Sequence, residues 1–79
     1  MKLCFLKPAK KALESYDKPT RLQISRAIAH LPNGDVAKMK GNKIPPLYRL
    51  RVGKYRVIYE VCGNEITITR IDSRGDVYK

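Results

Sequence analysis

The sequence has no apolar run near the roughly 20 residues that a membrane-spanning helix requires. It also has only two cysteines, one histidine and seven acidic side chains among 79 residues. The first absence excludes a membrane-spanning helix in this stretch of chain. The opening residues Met1-Lys2-Leu3-Cys4-Phe5-Leu6 are too short for a signal peptide and are interrupted by Lys7-Pro8, so the cytoplasm is the expected compartment. Cys4 and Cys62 alone cannot build a disulfide framework or a zinc site; both fall in apolar, strand-like segments and are expected to be small buried thiols. No cysteine, histidine or carboxylate cluster suggests a metal, and no cofactor is implied. His30, at the end of a helical pattern, is expected to be structural or to place charge at a helix C-terminus. Neither internal repeats nor low-complexity segments occur. The length suits one domain over residues 1–79, burying only roughly 60–65% of the surface that its unfolded chain exposes.

The shortage of acidic residues matters because basic ones are abundant. Seventeen Lys and Arg face seven Asp and Glu, a formal charge of +10. Self-repulsion of that size opposes a compact state, and the usual reason to carry it is a polyanionic partner. Phosphate contacts would release counterions and make binding steeply salt-dependent. The charges are spread over several segments rather than along one basic amphipathic helix, which argues against a membrane surface.

Hydrophobic spacing orders the chain. Residues 2–6 suggest a short strand. Ala9, Ala12, Leu13 and Tyr16 then recur at helical spacing, after a Pro8 suited to a first turn. Asp17-Lys18-Pro19 ends that helix and opens a second, whose apolar face is Ile24, Ala27, Ile28 and Leu31, and Pro32-Asn33-Gly34 stops it. Residues 35–46 look like a polar connection. In Tyr48-Arg49-Leu50-Arg51-Val52, residues 48, 50 and 52 share one face and 49 and 51 the other. Gly53-Lys54 forms a two-residue turn into a return strand, Tyr55 to Val61, and Gly63-Asn64 a second turn into Glu65 to Ile71. The residues from Asp72 onward lack a regular period. The expected fold is α+β: an N-terminal strand and an antiparallel helical hairpin packed on a small antiparallel β-sheet, with the other sheet face uncovered.

On that face Arg49 and Arg51 project together, and a turn at 53–54 sets Arg51 directly opposite Arg56. Like charges in that position destabilise a sheet unless an anion sits between them. Arginine offers planar, bidentate hydrogen bonding to phosphate. Tyr48, Tyr55 and Tyr59 alternate with the arginines and are expected to face the core. Spacing alone also assigns Tyr78 to the core, the alternative being a polar tip placed in a site.

The run from Tyr48 to Tyr59, YRLRVGKYRVIY, together with Lys40-Gly41 before it and Arg74-Gly75-Asp76-Val77-Tyr78 after it, closely resembles the RelE/ParE toxin superfamily. The likeness covers nearly the whole chain, helical hairpin included. It implies the toxin of a type II toxin–antitoxin pair, with a cognate antitoxin protein as partner. RelE-like members are ribosome-dependent endoribonucleases that cut mRNA in the ribosomal A site; ParE-like members inhibit DNA gyrase and cleave nothing. The strand motif and terminal tyrosine resemble the RelE branch, so mRNA and the ribosome are the implied partners. The alternatives are a ParE-like gyrase inhibitor and a noncatalytic member that binds only antitoxin or RNA. The resemblance assigns catalytic positions to Arg49, Arg51, Arg56 and Tyr78. It places Lys40 among the basic active-site positions and Arg74 in the tail; with Lys43 and Lys54 these are expected to bind RNA.

Metal-free RNA cleavage requires the 2′-OH to attack its own phosphate. It needs a base for the 2′-OH proton, cations for the charge on the phosphorane, and an acid for the leaving 5′-oxygen. The chain departs from the family pattern twice. Ser73 stands where some relatives have histidine, and Arg49 and Arg51 stand where RelE itself has lysines. Arginine does not give up its proton, so these two are unsuited as bases. Tyr78 is then the candidate to take or relay the 2′-OH proton, with Arg51 and Arg56 favouring its ionisation. Lys40, Lys43 or Lys54 are alternative donors to the leaving oxygen. Lys10, Lys11, Arg21 and Arg26 on the helices are expected either to touch ribosomal RNA or to form a solvated face.

Overall fold

The computed structural model describes residues 2–39 and 45–73. In chain order these form β1 (Lys2–Phe5), α1 (Lys7–Ser15), α2 (Lys18–Ala29), β2 (Val36–Lys38), β3 (Leu47–Val52), β4 (Tyr55–Cys62) and β5 (Glu65–Ser73). Both helices carry proline in the first turn, where a missing N–H breaks no hydrogen bond. Asp17 is the N-cap of α2 but makes no well-formed side-chain hydrogen bond into the helix. The nearby Thr20 side chain still holds the Asp17 carboxyl below the usual carboxylate range. His30 is the C-cap of the same helix.

The apolar helix faces are those selected by the spacing. Ala9, Ile24 and Ile28 are buried, with Ala12, Leu13, Tyr16, Ala27 and Leu31 packed around them. Helix α1 lies over β5 and α2 over β3. Beneath them, Leu50, Val52, Val57, Tyr59, Ile66, Ile68 and Ile71 complete one core. Tyr59 is 1% exposed and stacks on its register partner Tyr48, with ring centroids 5.5 Å apart. Tyr55 packs against Tyr16 of the first helical segment at 4.9 Å. The tyrosines that alternate with the arginines therefore face the helices.

The sheet differs from expectation in three ways. Among the described residues it has five strands, in the order β1-β5-β4-β3-β2. Part of the presumed polar connection is β2, paired antiparallel with β3 through Val36↔Leu50, Ala37↔Arg49 and Lys38↔Tyr48. Three residues with one half-buried apolar side chain are too few to show a period. The sheet is also mixed, because β1 runs parallel to β5 from Lys2↔Glu65 to Phe5↔Ile68. The two strands are joined through the helices and three other strands, so no hairpin turn forces them antiparallel. Finally, β5 extends through Asp72 and Ser73, residues expected to lie in an irregular tail.

That extension depends on a β-bulge. Ile58 pairs with Arg70 but its neighbour Tyr59 pairs with Ile68, so Thr69 is the extra residue on β5. Its hydroxyl donates to the Ile58 carbonyl at 3.1 Å. An extra residue shifts the alternation by one. Ile66 and Ile68 point to the core before the bulge, and Ile71 does so after it.

The cysteines are less buried than expected. Cys4 is half-buried, with its thiol 3.6 Å from a Glu65 carboxylate oxygen, and Cys62 is exposed beside the β4–β5 turn. Cys62 lies at a strand end, where the neighbouring turn offers no covering layer.

Candidate nucleic-acid interface

The sheet face opposite the helices is organised in rows across β3, β4 and β5. One row is Arg51–Arg56–Asp72 and the next is Arg49–Ile58–Arg70. A third, Leu47–Glu60–Thr67, lies beyond them toward the β4–β5 turn. Four arginines and one aspartate thus surround Ile58, a net charge of +3 by counting four cations against one carboxylate.

The hairpin between β3 and β4 sets the first two rows. Gly53 has φ +58° while among the described residues no non-glycine residue has positive φ, so only the first central turn position is left-handed, the type II′ pattern. This turn joins Val52 to Tyr55 in register and brings Arg51 opposite Arg56. Arg49 is half-buried, between Ala37 of β2 and Ile58 of β4, and Arg51 is exposed.

The arginine pair does not lack an anion. Arg56 Nε and Nη2 donate to the two carboxylate oxygens of Asp72, each at 3.2 Å. Arg70 Nε approaches the same carboxylate, 3.1 Å from Oδ2. Arg56 and Asp72 are both largely shielded, at 23% and 18% side-chain exposure, whereas Arg70 is 69% exposed. A two-pronged pair of this geometry fixes the guanidinium plane as well as its position. Ile58 is 8% exposed yet stands outside the core cluster, so the floor between the arginines is apolar.

Lys54 occupies the turn, with its Nζ 5.5 Å from the centroid of the Tyr55 ring, a ring on the helix side of the sheet. Lys10, Lys11, Arg21 and Arg26 belong to the helices, the layer on the other side from the arginine rows. Lys40, Lys43, Arg74 and Tyr78 lie outside the described residues. A groove of about 430 Å³ lined by Phe5, Lys10, Leu13 and Glu14 also opens on the helix side, away from the arginines.

Arg70 and Asp72 are the members of this group that spacing did not reveal. Straight alternation through residues 65–71 groups Arg70 with Ile66 and Ile68. The available signal was the isoleucine spacing itself: 66, 68 and 71 change parity, as a bulge requires.

A family model, the ParE toxin of the type II toxin–antitoxin system parDE, matches residues 3–78. None of the curated proteins matches the chain. Among solved structures, a chain of the RelE–RelB complex from Pyrococcus horikoshii OT3 is 32% identical, with 94% of each chain covered and a TM-score of 0.73. A chain of the RelB–RelE antitoxin–toxin complex from Methanococcus jannaschii is 29% identical over 95% of this chain and 94% of that one, with a TM-score of 0.77. The YoeB dimer from Staphylococcus aureus shares the fold at 21% identity, covering 89% of this chain and 92% of that one, with a TM-score of 0.70. With a family match over almost its full length and two helices laid on a mixed five-stranded sheet, this chain belongs to the RelE/ParE superfamily of type II toxin–antitoxin toxins.

Proposed function

We propose that this toxin is a ribosome-dependent endoribonuclease that cleaves mRNA in the ribosomal A site, and that a cognate antitoxin neutralises it by covering the arginine face. The observation that carries the reading is the gathering of Arg49, Arg51 and Arg56 on one sheet face that neither helix covers. A phosphate lying over them meets planar donors already held in place, in the case of Arg56 by the Asp72 carboxylate. The face is shallow, and the ribosome would position the mRNA strand upon it. The complexes formed by the two archaeal relatives support an antitoxin as partner. The cytoplasm, where mRNA is translated, is the compartment this activity requires.

In the proposed reaction the 2′-oxygen forms a bond to the adjacent phosphorus and the bond from phosphorus to the 5′-oxygen breaks. Arg49, Arg51 and Arg56 stabilise the charge that builds on the non-bridging oxygens, which is where preorganised cations lower a barrier most. They remain protonated throughout. Tyr78 takes or relays the 2′-OH proton, and Lys40, Lys43 or Lys54 are the candidates to protonate the leaving oxygen. Arg74 adds a further cation for the RNA strand.

A second reading has its own support, since the matching family model is that of the ParE toxin. On that reading the protein inhibits DNA gyrase and cleaves no RNA. Primer extension on an mRNA in a translating extract, with and without ribosomes, separates the two. The nuclease reading expects ribosome-dependent cuts that disappear with Arg56→Ala and with Tyr78→Phe. Intact mRNA together with loss of gyrase supercoiling would establish the second reading. Cuts that persist with Tyr78→Phe would remove the tyrosine from the mechanism but leave the nuclease in place.

A further inference from the structure

Among the described residues, the arginine face carries one cation beyond the three that the strand motif contributes. Arg70 reaches this face only because of the bulge at Thr69, and it stands in the same row as Arg49 with Ile58 between them. Two strand spacings put the backbone origins of these two side chains about 10 Å apart. Arg70 is also held in an unusual way for a side chain that is 69% exposed. Its Nε forms an ion pair with Asp72 Oδ2 at 3.1 Å, while among the described residues its two Nη groups have no hydrogen-bond partner. An arginine ion-paired through Nε still has its terminal donors to offer, and the attraction to the carboxylate narrows the space it samples before it binds an anion.

Stability gives little reason for this arrangement. Asp72 already satisfies Arg56 through both of its oxygens, so a second guanidinium is not needed to neutralise it. An ion pair as exposed as that of Arg70 contributes little to folding. The pairing instead leaves the Arg56–Asp72–Arg70 group with a net charge of +1 and two guanidinium groups gathered on one carboxylate. The nearest acidic side chain on the same face of β4 is Glu60, in the next row toward the β4–β5 turn. It bounds the positive area on that side.

We propose that Arg70 is a further RNA-binding residue, holding a backbone phosphate next to the scissile one, and that Asp72 is a positioning residue that sets Arg56 and Arg70 as a pair. The proposal rests on the RNA-cleaving reading above and extends its site from one phosphate to two. Arg49, Arg51 and Arg56 serve the reacting group, and Arg70 fixes the direction in which the strand crosses the face.

The test compares wild type with Arg70→Gln, Arg70→Lys and Asp72→Asn in two assays. One is binding of a single-stranded RNA made uncleavable by 2′-O-methylation, across a salt series; the other is ribosome-dependent cleavage, with kcat and KM separated. Arg70→Gln is expected to reduce the slope of log affinity against log salt by about 0.7, the value for one single-strand phosphate contact. It should raise KM several-fold, with the larger part of the loss in KM rather than kcat. Arg70→Lys, which keeps the charge, should restore the slope. Asp72→Asn should lower kcat as well as raise KM, since it releases both arginines, and thermal melting should show each variant folded. If Arg70→Gln matches wild type in both slope and KM, the proposal is overturned while cleavage by wild type leaves the broader reading intact. If Asp72→Asn loses activity only in proportion to lost folded protein, its positioning role is overturned. If wild type neither binds nor cuts RNA, the broader reading fails and this proposal fails with it.

Discussion

The two faces of the sheet use the same strands for opposite purposes. Along β3, Leu50 and Val52 are buried under the helices while Arg49 and Arg51 look the other way. Along β4, Val57 and Tyr59 enter the core while Arg56 and Glu60 do not. Period-two geometry lets one twelve-residue hairpin segment, Arg49 to Glu60, contribute to both, provided that no register slip occurs. One face is stabilised by removing apolar surface from water. The other concentrates like charge that the Asp72 carboxylate offsets only in part, and the excess opposes folding. Stability and anion binding are therefore separable here at adjacent residues, one position apart along the strand.

Substitutions on the two faces should therefore differ in kind. The largest expected effect is that of Tyr59→Ala, which empties a position only 1% exposed and should cost about 3–5 kcal/mol in urea unfolding. That is a large part of the roughly 5–15 kcal/mol available to a whole domain. If the variant unfolds near wild type, the core does not depend on the Tyr48–Tyr59 stack. Next in size, Arg51→Gln should slow mRNA cleavage about 100-fold, the loss typical of one preorganised donor. The same change relieves a cross-strand repulsion, so the melting midpoint should stay level or rise, by about 0.2–1 kcal/mol of stability. A fall in stability together with activity would break the proposed division between the faces.

Ile58 tests the exception, since it is buried but belongs to the charged face. Ile58→Ala should destabilise by about 2 kcal/mol, the low end for such truncations, and should also impair cleavage by loosening the floor between the arginines. Purified folded Ile58→Ala with full activity would show that the floor has no part in the site. A smaller loss, about 1 kcal/mol, is expected for Thr69→Val, which removes the hydroxyl that bonds the Ile58 carbonyl across the bulge. An unchanged unfolding midpoint would mean that backbone pairing alone holds the bulge.

The smallest effect concerns alkaline pH. Burial pushes the Tyr59 hydroxyl above the ordinary tyrosine range, and the neighbouring Tyr48 adds to the shift. The folded protein then keeps a proton that the unfolded chain releases near pH 10. Above that pH the unfolded state binds fewer protons, so stability falls as pH rises. Tyr59→Phe should show a shallower fall than wild type in unfolding midpoints measured from neutral to strongly alkaline pH. Equal slopes would assign the alkaline loss to other groups.

Much of the fold was legible because it is encoded locally. Ala9, Leu13, Ile24 and Ile28 identified both helices through side-chain spacing alone. Gly53 and the alternation around it identified the hairpin, its register and the Arg51–Arg56 juxtaposition. What spacing missed was non-local or irregular. Strand β2 is too short to carry a pattern and exists because β3 offers it a ladder of partners. The parallel pairing of β1 joins residues more than 60 positions apart in the chain. Arg70 and Asp72 were hidden because one unpaired residue at Thr69 reverses the faces for the rest of β5.

The sequence by itself determined the net charge, the two amphipathic helices, the tight hairpin and the sharing of Arg49 and Arg51 on one strand face. Each follows from composition or from a period within a few residues. Only the tertiary structure decided that the sheet is mixed, that Asp72 grips Arg56, and that Arg70 joins the arginine rows. Those outcomes depend on which distant strand supplies a hydrogen-bond partner and where its register shifts, and neither is encoded in the period of any one segment.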